Sequence, residues 1–449
     1  MKLSHRSYVL LAATLFTSLA CSTVMQVFEP ETTLDPSSLT AATEDSSQVQ
    51  PTEQALPYSE GITYTLSKEE QTAIFEKLWN IVNDEYLYRD FNGIDWAGVR
   101  VDVLEEIKSG LSDQEFHQLM DHCLFILGDE HSIFLSPWEV AQEEASYTGK
   151  QDYGGIGIWI MPQPEKNRAV VLMVFPNTPA YYAGLKPHDS ILAVDGQPIM
   201  DEEGAYGAAL LGPAGSSINL TVQTPGREAR QVVIERANIT GSTPVPSDLI
   251  QSPQGKRIGY ILIPSFSDST IPEKVENALR RFNQDRYLDG LIVDDRLNPG
   301  GYSNIFEDTL RYFTGGTVGY FVNRQGENPV KIVRKDIYLS TQVPLVVLVG
   351  QGTMSFGEVF AGVLQSSGRA TLLGMVTDGN VETLWGYDFE DGSRAWIAHD
   401  TFVPAKDREA DWEKTGIIPD LIISFDWGDF IFQDDPVIQA ALEYFDGQP

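Results

Sequence analysis

Residues 352–364, GTMSFGEVFAGVL, place a serine and a glutamate three positions apart at the start of an apolar helical pattern. Ser355 and Glu358 fit a capping box, in which both side chains satisfy free amide groups at a helix N-terminus. A serine that follows the buried run VPLVVLV is also a candidate nucleophile, provided that a base lies within hydrogen-bonding reach. The local pattern favours the helix cap, so other segments have to decide between the two roles.

The composition limits the class of protein. The chain has 449 residues, of which 42% are hydrophobic, and this length predicts roughly two to four packed domains. The formal net charge of −33 would repel nucleic-acid phosphates and anionic lipid headgroups, so we expect no nucleic-acid partner. We interpret the acidic surplus as a contribution to solubility.

Residues 1–21, MKLSHRSYVLLAATLFTSLAC, are typical of an export signal. Basic Lys2 and Arg6 precede an apolar stretch that is too short for a permanent membrane span. Cys21 after SLA resembles a bacterial lipobox, which implies a lipid anchor on Cys21 and an extracytoplasmic, membrane-anchored protein of a cell envelope. Ser18 stands where the lipobox usually has leucine, and an ordinary signal peptidase would leave Cys21 unmodified.

The next segments predict a tether and a helical region. Residues 22–60 are rich in Ser, Thr, Pro, Gln and Glu without hydrophobic periodicity, which predicts a flexible linker. Residues 61–145 are predicted to be helical, with capping boxes that start at Ser67 and Ser112. Cys123, one of only two cysteines, lies on an apolar helical face and is predicted to be a core thiol, so a disulfide framework is excluded.

The rest of the chain has a β-rich part followed by a part in which strands alternate with helices. Residues 148–237 contain short β runs separated by turns, with one helix-like segment at 201–212, which predicts a β-rich module. The polar stretch 238–256 is interpreted as a linker. Residues 255–430 alternate apolar strands with helices, which predicts an α/β core with a parallel or mixed sheet, followed by a C-terminal extension at 431–449. The predicted fold class is therefore multidomain α/β.

Two segments of the β-rich module resemble a PDZ domain. YGGIGIWI resembles the carboxylate-binding loop and the first groove-lining strand, and VFPNTPAYYAGLKPHDSILAVDGQPI resembles the central signature. His188 departs from that signature, which usually has glycine there. The resemblance implies that an extended peptide pairs with a sheet edge while backbone amides hold its terminal carboxylate. The implied peptide-binding residues are Gly154, Gly155, Ile156 and Gly157.

The whole layout resembles the C-terminal processing peptidases, a family of serine proteases with a tricorn-like core. GLIVDDRLNPGG, GQGTMSFGEVFAGVLQSSGRATLLG and EKTGIIPDLII resemble three family segments and occur in the family's order. The resemblance implies that Ser355 is the catalytic nucleophile. It covers about residues 65–425.

One departure concerns the catalytic base. Most processing peptidases carry a lysine after the serine, within a stretch resembling T-F-G-K-G, and this chain has TDGNVET there. The lysine position is therefore Asn380, whose amide has no useful basicity. Either the chain is an inactive peptide-binding relative, or another residue is the base.

Relatives with a histidine base suggest a replacement. The tricorn core protease and the chlamydial secreted protease resemble this chain in its core, and LGDEHSIFLSP puts His131 at the position of their histidine. DWEKTGIIPD puts Glu413 at the position of their glutamate. The resemblance implies that His131 takes the Ser355 proton and that Glu413 orients the imidazole. A histidine in a polar loop would otherwise be solvent-exposed, and a base not yet identified stays a third alternative.

The oxyanion of the proposed reaction needs hydrogen-bond donors. Gly300 and Gly301 of NPGG offer backbone amides, and Phe356 offers an amide at the positive end of a helix dipole. No metal or nucleotide motif is found, so no cofactor is expected.

We therefore expect an exported serine endopeptidase that binds protein or peptide substrates with free C-termini. The alternative is a catalytically inactive PDZ-containing peptide-binding protein. No sequence feature supports a carrier for small apolar ligands.

Overall fold

The computed structural model describes residues 65–129, 131–200 and 210–448. The predicted export signal at 1–21 and linker at 22–60 lie outside the described residues. None of the helices within the described ranges is both long enough and apolar enough to cross a membrane.

The N-terminal region consists of helices, as expected, and one short strand that was not predicted. These elements are α1 (Lys68–Glu85), α2 (Trp96–Ser109), α3 (Asp113–Phe125), β1 (Ile133–Leu135) and α4 (Pro137–Tyr147). Both predicted capping boxes are confirmed, at Ser67 with Glu70 and at Ser112 with Glu115. A third capping box, Ser136 with Glu139, begins α4 and was not predicted. Local hydrogen bonding thus determines where three of these helices begin.

The helical region shares its core with the rest of the protein. Cys123 is buried among the apolar faces of α1, α2 and α3, which confirms the predicted core thiol. Phe134 of β1 packs on Phe389 with ring centroids 5.4 Å apart, and Ile397 joins the same cluster. The region is therefore fixed against the C-terminal part of the chain rather than folding apart from it.

The β-rich module forms one sheet with a short additional ladder. Its elements are β2 (Gln151–Gly155), β3 (Ile158–Gln163), β4 (Arg168–Val174), α5 (Pro179–Tyr182), β5 (Ser190–Val194), β6 (Gln197–Pro198), β7 (Ser217–Gln223), β8 (Arg230–Glu235) and β9 (Ala237–Gly241). The sheet order is β3-β4-β5-β7-β8, with β6 paired to β5 and β2 paired separately to β9. Strand β3 therefore lies at a sheet edge. Most of the helix-like segment predicted at 201–212 lies outside the described residues.

The interpretation of 238–256 as a linker is wrong. Most of β9 lies in this stretch and pairs with β2, and β10 (Ser247–Gln251) pairs antiparallel with β11 (Arg257–Leu262). The strand signal was weak because both strands are short, and β10 lies at the edge of its sheet with little buried surface. Edge strands need no continuous apolar run.

The C-terminal core is a mixed α/β sheet, which confirms the predicted class. Its further elements are α6 (Ile271–Phe282), β12 (Gly290–Asp294), α7 (Ser303–Leu310), β13 (Gly316–Asn323), β14 (Gly326–Ile332), β15 (Leu345–Val349), α8 (Phe356–Ser366), β16 (Thr371–Gly374), β17 (Glu382–Asp388), β18 (Arg394–Pro404), α9 (Trp412–Thr415), β19 (Leu421–Ile422) and α10 (Pro436–Gly447). The sheet order is β10-β11-β12-β15-β16-β19, and only the β10–β11 pair is antiparallel. Apolar residues of α6, α7 and α8 cover one face. Helix α10, within the predicted extension, covers the other.

A second sheet joins the helical region to the core. Its order is β1-β18-β13-β14, and β17 also pairs with β18. Strand β1 pairs antiparallel with β18 through Ile133 opposite Trp396 and Phe134 opposite Ala395. This ladder places the residues just before β1 against the core.

His188, the departure from the PDZ signature, connects the β-rich module to the core. Its φ of +76° is the left-handed conformation that favours glycine. Its ring stacks on Trp427 and lies 4.7 Å from the Phe430 ring, and its Nδ1 hydrogen-bonds the Trp427 carbonyl at 2.9 Å. Contact with the core therefore accounts for an imidazole at this position.

Candidate active site

Ser355 occupies the turn between β15 and α8 in a strained conformation. Its φ is +50° and its ψ is −126°, which a residue with a Cβ adopts at a cost of about 1–3 kcal/mol. Its side chain makes no capping hydrogen bond. The predicted capping box is therefore wrong. A strained backbone at a strand-to-helix turn is a common property of nucleophilic serines.

Glu358 turns away from Ser355 because it has better acceptor contacts elsewhere. Its carboxylate accepts hydrogen bonds from the Thr377 hydroxyl at 2.5 Å, the Gly379 amide at 2.8 Å and the Asn380 amide at 2.7 Å. Burial raises the pKa of Glu358 to about 7, although these three hydrogen bonds act in the opposite direction. Glu358 thus fixes the segment that contains Asn380 against α8.

The NPGG loop lies directly against Ser355. An added Cβ at Gly300 would come within 2.7 Å of the Ser355 Cβ and 2.9 Å of the Phe356 nitrogen, and the Gly300 φ is +90°. The predicted role of Gly300 as an oxyanion donor needs correction, because its N–H donates to Asn298 Oδ1 at 3.0 Å. Gly300 instead permits the close approach of the loop to the serine.

Two other predicted donors stay available. Within the described residues, the amides of Gly301 and Phe356 donate no hydrogen bond. Phe356 is the first residue of α8, where amides lack partners within the helix and the helix dipole is positive. These two amides are suited to a developing negative charge.

A buried arginine anchors the strand end that leads into the loop. The Arg296 guanidinium donates to Asp294 and, at 2.7 Å, to Asp435, and it lies 4.5 Å from the Trp427 ring centroid. These two carboxylates raise the pKa of Arg296 against the opposing effect of burial. The loop is thus held by the start of α10 and by the segment that contacts His188.

His131 is held just before β1 by a local turn. Asp129 Oδ1 accepts the amides of His131 at 2.9 Å and Ser132 at 2.8 Å, and the Ser132 hydroxyl accepts the Ala398 amide at 3.0 Å. His131 is only 7% exposed. The expectation of a solvent-exposed loop histidine therefore does not hold.

The structure brings His131 and Glu413 together. His131 Nε2 lies 3.2 Å from Glu413 Oε1, and Glu413 Oε2 accepts the Val381 amide at 2.7 Å. A second carboxylate, Glu382, has its Oε2 3.8 Å from the same Nε2. The Tyr88 hydroxyl donates to the other oxygen of Glu382. His131 Nδ1 has no hydrogen-bond partner within the described residues, so it is the nitrogen left for a serine.

These neighbours change the acidity of the site. Burial disfavours the charged imidazole, but the hydrogen bond and charge of Glu413, with the charges of Glu382 and Asp129, outweigh it and raise the pKa of His131. Burial, with the charge of Glu413, raises the pKa of Glu382 to about 7. The surrounding carboxylates therefore favour the charged form of His131, whereas burial favours the neutral form of Glu382.

Residues 379–382 connect the serine helix to the histidine cluster. Glu358 of α8 accepts the amides of Gly379 and Asn380, and Glu413 accepts the next two amides, of Val381 and Glu382. Ser355 and His131 are thus placed around one short segment. Within the described part of the chain, no hydrogen bond joins the Ser355 hydroxyl to His131.

The predicted peptide-binding loop lies between β2 and β3. Gly154 and Gly155 belong to β2 and pair with β9. The amides of Ile156 and Gly157 donate no hydrogen bond to any described residue. Gly157 has a φ of +81°, and an added Cβ would come 2.4 Å from Thr178, so only glycine fits.

Comparison with known proteins identifies the family. The model of peptidase family S41 matches residues 257–423, that of the PDZ domain residues 170–224, and that of the tricorn protease C1 domain residues 67–124. A carboxyl-terminal-processing protease of Synechocystis is 31% identical over 403 residues, which cover 88% of this chain and 91% of that protein. The chain belongs to the carboxyl-terminal-processing protease family. A second such protease, from Picosynechococcus, is 30% identical over 376 residues, 82% of this chain and 86% of its own.

Solved structures agree with this family. The photosystem II D1 C-terminal processing protease is 26% identical, with a TM-score of 0.55 over 79% of this chain and 93% of that protein. A putative S41 protease of Bacteroides fragilis, 16% identical, shares the fold with a TM-score of 0.54 over 83% of this chain and 97% of its own. The mixed α/β core with an inserted PDZ domain is thus the fold of the processing proteases.

The sequence did not predict three groups that lie around the candidate site. Glu382, Asp129 and Tyr88 surround His131 and Glu413. Glu382 lies in TDGNVET and Asp129 in LGDEHSIFLSP, but neither was predicted to be a site residue, and Tyr88 lies in no family segment. For Glu382, the available signal was a carboxylate two positions after Asn380. For Asp129, it was an acid two positions before the histidine, since such a side chain commonly accepts backbone amides that follow it.

Proposed function

We propose that this processing-family protein is an exported serine endopeptidase that uses Ser355, His131 and Glu413. The observation that carries the proposal is the contact between His131 Nε2 and Glu413 Oε1, 3.2 Å apart although 282 positions separate the residues. The family resemblance alone had put these two residues in one site. The strained, uncapped Ser355 supplies the nucleophile.

The proposed reaction uses each group in turn. His131 Nδ1 accepts the Ser355 hydroxyl proton as Oγ attacks the peptide carbonyl, and the imidazolium then gives that proton to the leaving amine. Glu413 at Nε2 orients the ring and stabilises its charge. Water hydrolyses the resulting acyl-enzyme with His131 again as base. Catalytic hydrogen bonds are often long before substrate binds, and we expect Ser355 and His131 to approach in the substrate complex.

The amides of Gly301 and Phe356 would stabilise the oxyanion, because neither donates elsewhere among the described residues. Gly300 has no side chain and so lets the loop lie close to Ser355. The PDZ domain would receive a substrate with a free C-terminus at the loop of Ile156 and Gly157 and along the edge of β3.

The proposal extends to the cellular site. Residues 1–21 support export, and Cys21 supports a lipid anchor in a cell envelope, with ordinary signal cleavage as the alternative. Labelling cells with an alkynyl fatty acid separates these alternatives. Parent protein should become labelled and Cys21→Ser should not.

The alternative function is peptide binding without catalysis. It is favoured by Asn380 in place of the family lysine and by the lack of a hydrogen bond between Ser355 and His131 within the described ranges. The PDZ domain would bind polypeptide ends in the same way in either case.

A fluorophosphonate probe separates the two functions, because it labels only an activated serine. The parent should be labelled, whereas Ser355→Ala and His131→Ala should not. Ser355→Ala should keep its thermal stability, since the serine side chain makes no capping bond to lose. A folded parent that resists labelling would establish the inactive alternative.

A further inference from the structure

His131, Glu382 and Glu413 have the geometry of a metal site. One ligand atom of each lies within 4.8 Å of the others, and the imidazole Nε2 is 3.2 Å from Glu413 and 3.8 Å from Glu382. A tetrahedral zinc ion with bonds of about 2.0–2.1 Å holds its ligand atoms about 3.3 Å apart. Small side-chain movements would therefore bring all three atoms into coordination distance.

An orphaned oxygen points into this cluster. Among the described residues, Glu382 Oε2 has no hydrogen-bond partner, although the Glu382 side chain is only 2% exposed. Its other oxygen is occupied by the Tyr88 hydroxyl. A buried acceptor without a partner is unfavourable, so this oxygen is suited to bind a ligand placed between it and His131.

The local charge also suits a cation. Three carboxylates, those of Glu413, Glu382 and Asp129, act electrostatically on the single imidazole. The Glu413 side chain is 24% exposed, which gives an ion a way in from solvent. One imidazole nitrogen with two carboxylates suits zinc, whereas Mg²⁺ and Ca²⁺ prefer oxygen ligands throughout.

We propose that His131 Nε2, Glu382 and Glu413 bind one zinc-class divalent cation. The bound ion would occupy Nε2, so the neutral imidazole would carry its proton on Nδ1 and could not accept the Ser355 proton there. Zinc would thus inhibit the hydrolysis reversibly. This inhibition rests on the proposed function, whereas the binding site does not.

The binding test needs no catalysis. Full-length chain without an affinity tag is titrated with ZnCl₂ by calorimetry and with CoCl₂ by visible absorption, where tetrahedral cobalt gives a strong d–d band. Parent and Ser355→Ala should both bind one ion. Glu382→Gln and Glu413→Gln should each weaken zinc binding at least about tenfold. Loss of a residue that only hydrogen-bonds to a metal ligand already weakens binding about tenfold or more, and loss of a ligand itself should weaken it further.

His399 provides the matched control. His399 is also buried and contacts two carboxylates, Asp400 at 3.0 Å and Glu85 at 3.3 Å. The two carboxylates contact different ring nitrogens, so they do not form a site around one nitrogen as those at His131 do. His399→Asn should bind zinc as the parent does. Thermal melts establish that each variant is folded.

Two results would overturn the site: a folded parent that binds no ion, or Glu382→Gln and Glu413→Gln that both bind like the parent. Inhibition is tested separately, as slower fluorophosphonate labelling of the parent that EDTA restores. Zinc binding with unchanged labelling would overturn the inhibitory role. A parent that is never labelled would contradict the proposed protease function and leave the binding result intact.

Discussion

The backbone amide of Asn380 donates a hydrogen bond to Glu358 Oε2 at 2.7 Å. This bond fixes the residue at the family's lysine position to the helix that begins after Ser355. The next residue, Val381, is bound in the same way to Glu413. The segment that lacks the lysine therefore still has a positional role, because it connects α8 to Glu413, the carboxylate in contact with His131.

The first prediction concerns this connection. Glu358→Gln should destabilise the protein by about 1–3 kcal/mol, because a side-chain amide cannot accept all three hydrogen bonds and leaves a buried donor unsatisfied. Fluorophosphonate labelling should also slow, since residues 379–382 shift relative to Glu413. Urea unfolding gives the free energy. Glu443→Gln, on the exposed side of α10, should change neither quantity. Equal unfolding free energies for parent and Glu358→Gln would contradict the role of the segment.

The second prediction concerns pH. His131 is competent when neutral, and the structure raises its pKa, so kcat/KM should rise with pH through a midpoint above the unperturbed value of about 6.5. The unperturbed histidine predicts a rise between roughly 6 and 7, and the surrounding carboxylates move it upward. Glu413→Gln removes the charge that favours imidazolium and leaves only a neutral, weaker hydrogen-bond acceptor. Its midpoint should therefore fall and its maximal rate should decrease.

His399→Asn is the control for general electrostatic effects, because this histidine and its carboxylates lie outside the proposed triad. Its midpoint should match that of the parent. A Glu413→Gln midpoint equal to or above that of the parent would show that Glu413 does not act on the titrating group.

The same spacing of serine and glutamate gave right and wrong predictions in this chain. At Ser67 and Ser112 the capping box forms, and each glutamate accepts hydrogen bonds from the amide and the hydroxyl of its serine. Near Ser355, the buried carboxylate of Glu358 accepts hydrogen bonds from Thr377, Gly379 and Asn380 instead. These residues lie close to it only after folding. A four-residue sequence pattern contains no information about such distant partners. Tertiary contacts therefore overrode the local preference for a capping box at Ser355.

The site itself was predictable only in part for a related reason. His131 and Glu413 were found through their positions in family motifs. Glu382 lies two residues after the family's lysine position but matches no family site residue, and the pairing of β17 with β18 and of β18 with β1 brings it to His131. The loss of the Gly300 amide to Asn298 depends on one side-chain rotamer. The order of strands and helices could be predicted from the sequence. Which acceptor each backbone amide binds in the folded site could not be predicted.

The third prediction addresses the missing lysine. Asn380→Lys should not restore labelling to His131→Ala. The backbone of residue 380 is bound to the buried Glu358 carboxylate, and a lysine beside that charge would stay protonated and could not act as a base. The double variant is compared with His131→Ala by probe labelling from pH 6 to 10. Recovery of labelling near neutral pH would show that the pocket still accepts the family's lysine mechanism.

The last prediction concerns the PDZ domain. Peptides with a free C-terminal carboxylate should bind more tightly than the same peptides with a C-terminal amide. The amides of Ile156 and Gly157, which donate to no described residue, can donate to the carboxylate. Binding is measured by fluorescence anisotropy on Ser355→Ala, so that cleavage does not interfere. Gly157→Val should abolish the preference, since its side chain would collide with Thr178 and distort the loop. Gly226→Ala is the control, because that glycine also has a positive φ but open space around it. Equal affinities for the two peptides would remove the carboxylate-binding role from this loop, while pairing along β3 would still be open to test with longer extended peptides.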